Sequence, residues 1–385
     1  MTQHTDTPAL SDWLVAFRRE LHRFPELSGE EFATTARLKA ALDEHHITIL
    51  PLDLPTGLIA EIGGQRPGPL VVLRADIDAL PIHEQSGVDW DSEHPGVMHA
   101  CGHDFHASAA LGAAILLKQN EAYLAGRVRI LFQPAEETGH GAPAILQTGA
   151  LDGAAAIFGI HNDPGLPTGV IGSKAGALTA GVDRFRIDIQ GTGSHAARPH
   201  EGNDPVVIAA HVITALQTVI SRNLPSQENA VLSVTQVHSG STWNVISDSA
   251  WLEGTVRTFN PQVREQTELR IRDIVGGTAI TFNARITLNW QPGPPSVVND
   301  ARWVDVALET GEEQGLEARR IPENPIGEDF AFYQQRLPGA FIMVGSGGPW
   351  SLHHPQFVVD DNALWPTARW YAALAIRALN EAAHD

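Results

Sequence analysis

Leu70-Val71-Val72-Leu73-Arg74-Ala75-Asp76-Ile77-Asp78 passes from a purely apolar run into alternating charge. That transition decides the fold. Four apolar residues bounded by polar ones read as a short core strand. The same grammar recurs twice. Val128-Arg129-Ile130-Leu131-Phe132 runs into Gln133-Pro134-Ala135-Glu136-Glu137, and the apolar stretch 154–160 runs into His161. Between the first two lies a small-residue helix at 107–118, suited to close packing on a sheet. Upstream, Ser11-Asp12 is placed to cap a helix in which Leu14, Phe17 and Leu21 recur at helical spacing. Residues 30–45 repeat the pattern with Phe32, Leu38 and Leu42. Strands alternating with helices specify an α/β layered domain, with a mixed, largely parallel sheet flanked by helices. Open sheets of this kind gather their sites at the carboxyl ends of the strands. Three strands therefore deliver polar side chains to one rim.

From Gly181 the pattern changes. Residues 182–189 alternate, with Phe185, Ile187 and Ile189 on one side and Arg184, Arg186 and Asp188 on the other. A helix at 205–222, strands at 231–238 and 250–258, a helix at 262–276 and a strand at 279–290 follow. The order β-α-β-β-α-β is the split, ferredoxin-like unit. The stiff connection Gln291-Pro292-Gly293-Pro294-Pro295 comes next. Residues 182–292 are thus expected to form an α+β domain inserted into a discontinuous one made of 1–181 and 293–385. The latter resumes with a helix after Asn299, a strand at 340–344 and a final helix from Asn362. The insert offers strand edges and helices that can pair about a two-fold axis, so a homodimer or homotetramer through it is expected.

A chain of 385 residues exceeds one typical core. With 43% hydrophobic and 18% charged residues it reads as globular, and only Met1 to Thr7 suit disorder. The net charge of −19 repels phosphate backbones and anionic lipid, which excludes nucleic acid and membrane surfaces as expected partners. An anionic substrate would need cations in specific pockets. Cys101 is the one cysteine, which rules out an intramolecular disulfide and suits a reducing compartment. No basic stretch leads into an apolar one at the N-terminus, and no apolar run approaches the roughly 20 residues of a membrane span. A cytoplasmic enzyme is the expectation.

The chemistry concentrates in Met98-His99-Ala100-Cys101-Gly102-His103-Asp104-Phe105-His106. Cysteine, histidine and aspartate this close suit a divalent metal. Alone, the run reads equally as a buried cysteine among surface histidines. The pair Glu136-Glu137 puts two carboxylates at the end of a core strand, where one can ligate and the other act as a base toward water. His161 ends the third strand, and Ser351-Leu352-His353-His354-Pro355 adds late imidazoles. Singly, each is more ordinary as an acidic turn or a structural histidine; together they specify a metal centre.

In order and spacing the set resembles the amidohydrolase family of hippurate hydrolases, aminoacylases (N-acyl-L-amino acid amidohydrolases) and auxin–amino acid conjugate hydrolases. That family shares a clan with the zinc carboxypeptidases and aminopeptidases that use co-catalytic metals. The resemblance covers nearly the whole chain. It rests on 74–82, 98–106, 133–137, Gly193-Ser194-His195-Ala196-Ala197-Arg198-Pro199-His200, Asn244-Val245-Ile246, Gly254-Thr255-Val256-Arg257-Thr258, Glu328-Asp329-Phe330 and Leu352-His353-His354-Pro355. It implies two divalent ions per subunit, zinc, manganese, cobalt or nickel, held by Cys101, His103, Glu137, His161 and His353, with Cys101 bridging. It implies Glu136 as general acid/base and Asp76 as a group that orients a ligand or the base. His195 is implied to stabilise the oxyanion, from its own subunit or a partner's, and Asn244 and Arg257 to grip the substrate carboxylate. The insert becomes a lid and dimerisation domain. The implied reaction is metal-dependent hydrolysis of the amide bond of N-acyl amino acids; the alternative is a dipeptidase or carboxypeptidase acting on true peptides. Three departures stand out. Thr138 and His140 interrupt the glycines usual after the paired glutamates, which makes His140 a pocket candidate. His354 follows His353, which leaves open which of the two ligates. Asn162-Asp163 replaces a usually apolar pair.

Overall fold

The computed structural model describes residues 7–384. Of the N-terminal stretch read as suited to disorder, residues 1–6 lie outside the described residues. The chain divides into two compact units.

The first unit runs to Leu178 and resumes over Val298–Pro322 and from Asp329. Its elements begin with α1 (Thr7–Arg23), α2 (Phe32–Glu44), β1 (Thr48–Ile49), β2 (Leu58–Gly63), β3 (Arg66–Asp76), α3 (His103–Gln119) and β4 (Ala125–Gln133). Then come α4 (Gly141–Gln147), β5 (Ala154–Asp163), β6 (Val170–Ser173) and β7 (Gly176–Ala177). The second unit supplies β8 (Gly181–Gln190), β9 (Ser194–His195), α5 (Pro205–Asn223), β10 (Ala230–Ser239), β11 (Val245–Ile246), β12 (Ser249–Thr258), α6 (Pro261–Phe282) and β13 (Arg285–Pro292). The chain returns with β14 (Val298–Asn299), α7 (Ala301–Glu313), β15 (Glu317–Arg320), α8 (Ala331–Gln334), β16 (Gly339–Gly345) and α9 (Leu364–Ala382).

The first unit is built on an eight-stranded mixed sheet of order β1-β2-β4-β3-β5-β16-β6-β15. Its centre, β4-β3-β5-β16, is parallel, and the antiparallel pairings lie outside it. The central strands are apolar throughout because helices or turns cover both faces. The alanine-rich α3 packs on α1 and α9. At Gly112 the three helices come so close that a Cβ would lie 2.7 Å from Leu14 and 2.8 Å from Ala368. Local starts differ from the sequence reading in instructive ways. Ser11 and Asp12 lie inside α1 rather than capping it. Phe32 is 61% exposed, and Thr34, Leu38, Ala41 and Leu42 form the buried face of α2. Helix α3 starts at His103, not 107, so its first turn belongs to the rim of the sheet.

The second unit is wider than residues 182–292. It comprises Thr179–Val297 with Glu323–Glu328, because the Ala180 N–H donates to Ile326 O and the Ser296 hydroxyl to Thr179 O. Its antiparallel sheet has the order β10-β12-β8-β13, with Phe185, Ile187 and Ile189 in the core shared with α5 and α6. The strand expected at 279–290 begins only at Arg285. Residues 279–282 extend α6, which ends at Asn283 in the left-handed conformation (φ 48°). The β-branched Thr278, Ile280 and Thr281 suggest a strand, yet the helix and its asparagine cap prevail over that propensity. Helix α5 is long and apolar enough, by length and composition, to cross a bilayer, which the sequence reading did not anticipate. It packs Ile208, Val212, Leu216 and Val219 into the core of this unit.

Helix α1 is clamped to α3 by buried charge. Arg18 Nη1 donates to Asp104 Oδ2 at 2.9 Å; His22 lies 3.0 Å from Asp104 through Nδ1 and 3.0 Å from Glu84 through Nε2. Burial pulls the His22 pKa down, but Asp104 and Glu84 outweigh it and carry it from 6.5 to about 9. A raised folded-state value means that the contribution is fully present below the unfolded value and fades as pH rises through about 9. The thermal-unfolding midpoint should therefore fall more steeply between pH 7 and 10 in the wild type than in His22→Gln. Parallel slopes would refute the clamp's charge dependence.

Candidate metal centre

The sheet aligns the chemistry. Register sets Asp76 of β3 opposite Gln133 of β4, and His161 of β5 opposite Met343 of β16. His161 lies within its strand rather than just past it. Between Cys101 and the start of α3, Gly102 holds φ 85°. No other residue serves there: the conformation is left-handed, and a Cβ would sit 2.3 Å from Asn162 Oδ1.

This turn brings the five expected donors together. Cys101 Sγ lies 3.4 Å from His161 Nε2 and 3.3 Å from His353 Nε2. Glu137 Oε1 is 3.5 Å from His353 Nε2 and 3.9 Å from His103 Nε2. Cys101, His103 and His161 form one convergent group; Cys101, Glu137 and His353 form a second; His103, Glu136 and Glu137 form a third. Backbone geometry separates the two late histidines. His353 adopts φ 64° and donates its N–H to Ala100 O at 2.8 Å, which turns its ring toward Cys101. His354 stacks on Trp350 at 4.2 Å and accepts the Gln356 N–H through Nδ1.

The donor set fits divalent cations. His103 places Nδ1 3.1 Å from Asp78 Oδ1, and its buried Nε2 has no hydrogen-bond partner among the described residues. His161 donates Nδ1–H to Asn162 O at 2.8 Å, which leaves the Nε2 lone pair facing Cys101. Glu137 Oε1 is likewise buried without a hydrogen-bond partner among the described residues. Imidazoles fixed through one nitrogen with the other aimed inward are the usual arrangement around bound metal. Charge points the same way. Burial, then Glu137, Glu136 and Asp76, push the Cys101 thiol well above its ordinary range. At His103 burial lowers the pKa, but Asp76, Asp78 and Glu137 outweigh it and raise it to about 10. His161 falls to about 3 through burial, then through His106. A nest of carboxylates around a buried thiol demands positive charge, and cations at the free donors supply it.

Several groups escaped the sequence reading. Asp78 binds His103, whereas Asp76 accepts from His106 Nδ1 at 2.5 Å and stands 3.7 Å from His103 Nε2. His106 Nε2 accepts the Asn162 N–H. Both were visible in outline: Asp78 shares its strand-end alternation with Asp76, and His106 follows His103 at helical spacing. Arg74, fully buried, donates to Asp76, Gln133 and Asp329. His140 is exposed at the start of α4.

His195, Asn244 and Arg257 belong to the second unit. The β9–β11 ribbon pairs His195 with Val245, and the Ala196 N–H donates to Asn244 O, so the first two are neighbours and both exposed. Arg257 lies on β12 between Val231 and Val182. It is half-buried, burial lowers its pKa, and it has no ion-pair partner among the described residues. Such a guanidinium is ready for an anionic ligand.

Residues 72–377 match the model of the peptidase family M20/M25/M40. The chain belongs to that family. Among M20/M25/M40 relatives it is 46% identical to an N-acetylcysteine deacetylase of Bacillus subtilis, over 94% of this chain and 96% of the other. It is 39% identical to an IAA-amino acid hydrolase of Arabidopsis thaliana, over 96% and 87%. A solved Bacillus subtilis structure, described as a dinuclear metal binding peptidase of the M20 family, superposes with a TM-score of 0.87. It is 43% identical, with 97% of this chain and 99% of that one covered. His353→Ala should lower the cations retained per chain after gel filtration, read by elemental analysis, while His354→Ala leaves them unchanged. The reverse pattern would assign the ligand to His354.

Proposed function

We propose that the chain is a two-metal amidohydrolase that cleaves the amide bond of N-acyl amino acids. One observation carries the reading: His103, Glu137, His161 and His353 converge around Cys101, with a second carboxylate, Glu136, directly beside them. The names of the two relatives, a deacetylase of an N-acetylated amino acid and a hydrolase of an acyl–amino acid conjugate, support the substrate class.

Cys101, His103, Glu137, His161 and His353 would hold the ions, with Cys101 common to two of the donor groups. When bound, the ions acidify a water and polarise the scissile carbonyl. Thiolate, imidazole and carboxylate together accept zinc, manganese, cobalt or nickel, and the sulfur favours zinc. Glu136 takes the proton of the attacking water and returns it to the leaving amine. Its Oε1 accepts the Asp329 N–H at 3.3 Å, which orients the carboxylate. His103 and His161 keep their ring orientation through Asp78 and Asn162 O. Asp76 fixes His106 and neutralises Arg74. In the second unit, His195 donates to the developing oxyanion, from its own subunit or a partner's. Arg257 and Asn244 take the substrate carboxylate, the local cation that a chain of charge −19 requires.

The enzyme works in the cytoplasm as a homodimer or homotetramer joined through the second unit. Exposed Val231 and Val237 on the edge strand β10, and Val206 and Val207 on α5, support that surface.

Metal-free protein refilled with each ion and assayed on N-acetyl, N-benzoyl and N-indoleacetyl amino acids should turn over at least one acyl series well above any dipeptide. Preference for dipeptides would replace this reading with the peptidase alternative. Glu136→Gln should retain its metals and lose roughly 10²–10⁴-fold in kcat. Near-normal turnover would remove Glu136 as the base.

A further inference from the structure

The turn that carries Glu136 and Glu137 is held in a conformation its sequence does not favour. Ala135 adopts φ 53°, a left-handed value that costs a residue with a Cβ of order 1 kcal/mol or more. Something must hold it there. Its N–H donates to Glu31 Oε1 at 2.9 Å. Glu31 comes from the N-cap position of α2, distant in sequence, and its side chain is fully buried. Among the described residues the carboxylate has no ion-pair partner. It accepts instead from the Gly29 N–H at 2.9 Å, from the Ala135 N–H, and through Oε2 from the Thr56 hydroxyl at 2.7 Å. Burial raises its pKa, and these donors oppose that rise.

The neighbours of Glu31 continue the cradle. Thr35 Oγ1 donates to Glu31 O and accepts the Gly57 N–H. Gly57, at φ 76°, lies against the turn so closely that a Cβ would stand 2.5 Å from Pro134 Cδ and 2.6 Å from Phe132 O. The other side of the turn is held by Asp78, which accepts the Glu137 N–H, and by Asp329, which accepts the Ala142 N–H. Asp78 also contacts a ligand, and Asp329 contacts Glu136. Glu31 hydrogen-bonds neither the donors nor Glu136; its one hydrogen bond to this turn is to the backbone of the strained residue between β4 and the two glutamates.

We propose that Glu31 is a positioning residue for the general base: its buried carboxylate locks Ala135 in the left-handed conformation and so aims Glu136. The proposal rests on Glu136 being the base. Glu31→Gln keeps the shape but removes the charge from the oxygen that accepts the Gly29 and Ala135 N–H groups, which weakens the bonds that hold the turn.

The test uses metal-replete full-length protein. Glu31→Gln should lose about ten- to a hundredfold in kcat, with KM and bound cations within about twofold of wild type. Adding Ala135→Gly, which tolerates positive φ without a holder, should restore at least about threefold of kcat. Glu26→Gln serves as the structural comparison: Glu26 accepts from the Ala33 and Thr34 N–H groups at the start of α2 but not from the turn, and it should leave kcat unchanged. Should Glu31→Gln fail to fold, Thr56→Val removes one donor to the same carboxylate and should lower kcat by about two- to fivefold. Unchanged kcat in the folded Glu31 variant, an equal loss in Glu26→Gln, or no restoration by Ala135→Gly would overturn the proposal, as would unchanged kcat in Thr56→Val. Glu136→Gln measured alongside distinguishes the failures. If that variant is inactive while Glu31→Gln is fully active, only the positioning role falls; if it is active, the base assignment falls and takes this proposal with it.

Discussion

The rim of the first unit depends on one guanidinium. Arg74 has no solvent exposure and reaches Asp76, Gln133 and Asp329 within 2.6–2.8 Å. It joins the ends of β3 and β4 to the segment that precedes α8. Burying such an ion is costly unless its charge and its donors are matched, and here two carboxylates and an amide oxygen match them. Gln133 completes the lattice by donating to Asp329 and accepting from the Tyr333 hydroxyl. Burial raises the Asp329 pKa while Arg74 opposes the rise; His103, Arg74 and His106 together overcome burial at Asp76 and hold it well below the usual carboxylate range. Removing Arg74 would leave two buried carboxylates, Asp76 and Asp329, without the cation they share, beside a centre already rich in negative charge.

Above that lattice local rules are broken in a consistent direction. Ala135 and His353 both take positive φ without being glycine, and Glu137 Oε1 and His103 Nε2 are buried without hydrogen bonds among the described residues. A site built only for stability would relax each of these. Their concentration at one rim of the sheet is the pattern expected where geometry is held for a ligand. The surrounding structure supplies the restraint through buried carboxylates that accept backbone N–H groups, a device that fixes the chain without occupying the donors themselves.

Much of this was legible in the chain. Apolar runs that end in carboxylates or histidine located the parallel strands and the rim, because a strand buried on both faces has no other place for such residues. The split unit was legible from the alternation in 182–189 and the order of elements. The limits have physical causes. The end of α6 was hidden because Thr278, Ile280 and Thr281 favour strands in isolation, and only tertiary packing with the Asn283 cap decides otherwise. Spacing placed Asp76 and Asp78 on one side but gave no means of choosing which one meets His103. His353 and His354 are set apart by the positive φ of the first and the Trp350 stacking of the second, which composition does not encode. Glu31 offered no signal, since its partner lies 104 positions away and is a backbone N–H.

Cys101 belongs to two of the donor groups at once, one with His103 and His161, the other with Glu137 and His353. An aspartate in a bridging position is chemically inert, whereas sulfur has an oxidation ladder whose upper rungs are irreversible. The lone thiol therefore makes this centre a single point of failure: one oxidised atom would disconnect both halves together. Its depth offers the counterweight, because a thiol 6% exposed and surrounded by carboxylates is shielded from solvent and slow to ionise. Access of peroxide to Cys101 is thus set by how rarely the wall around it opens, a kinetic property of the fold.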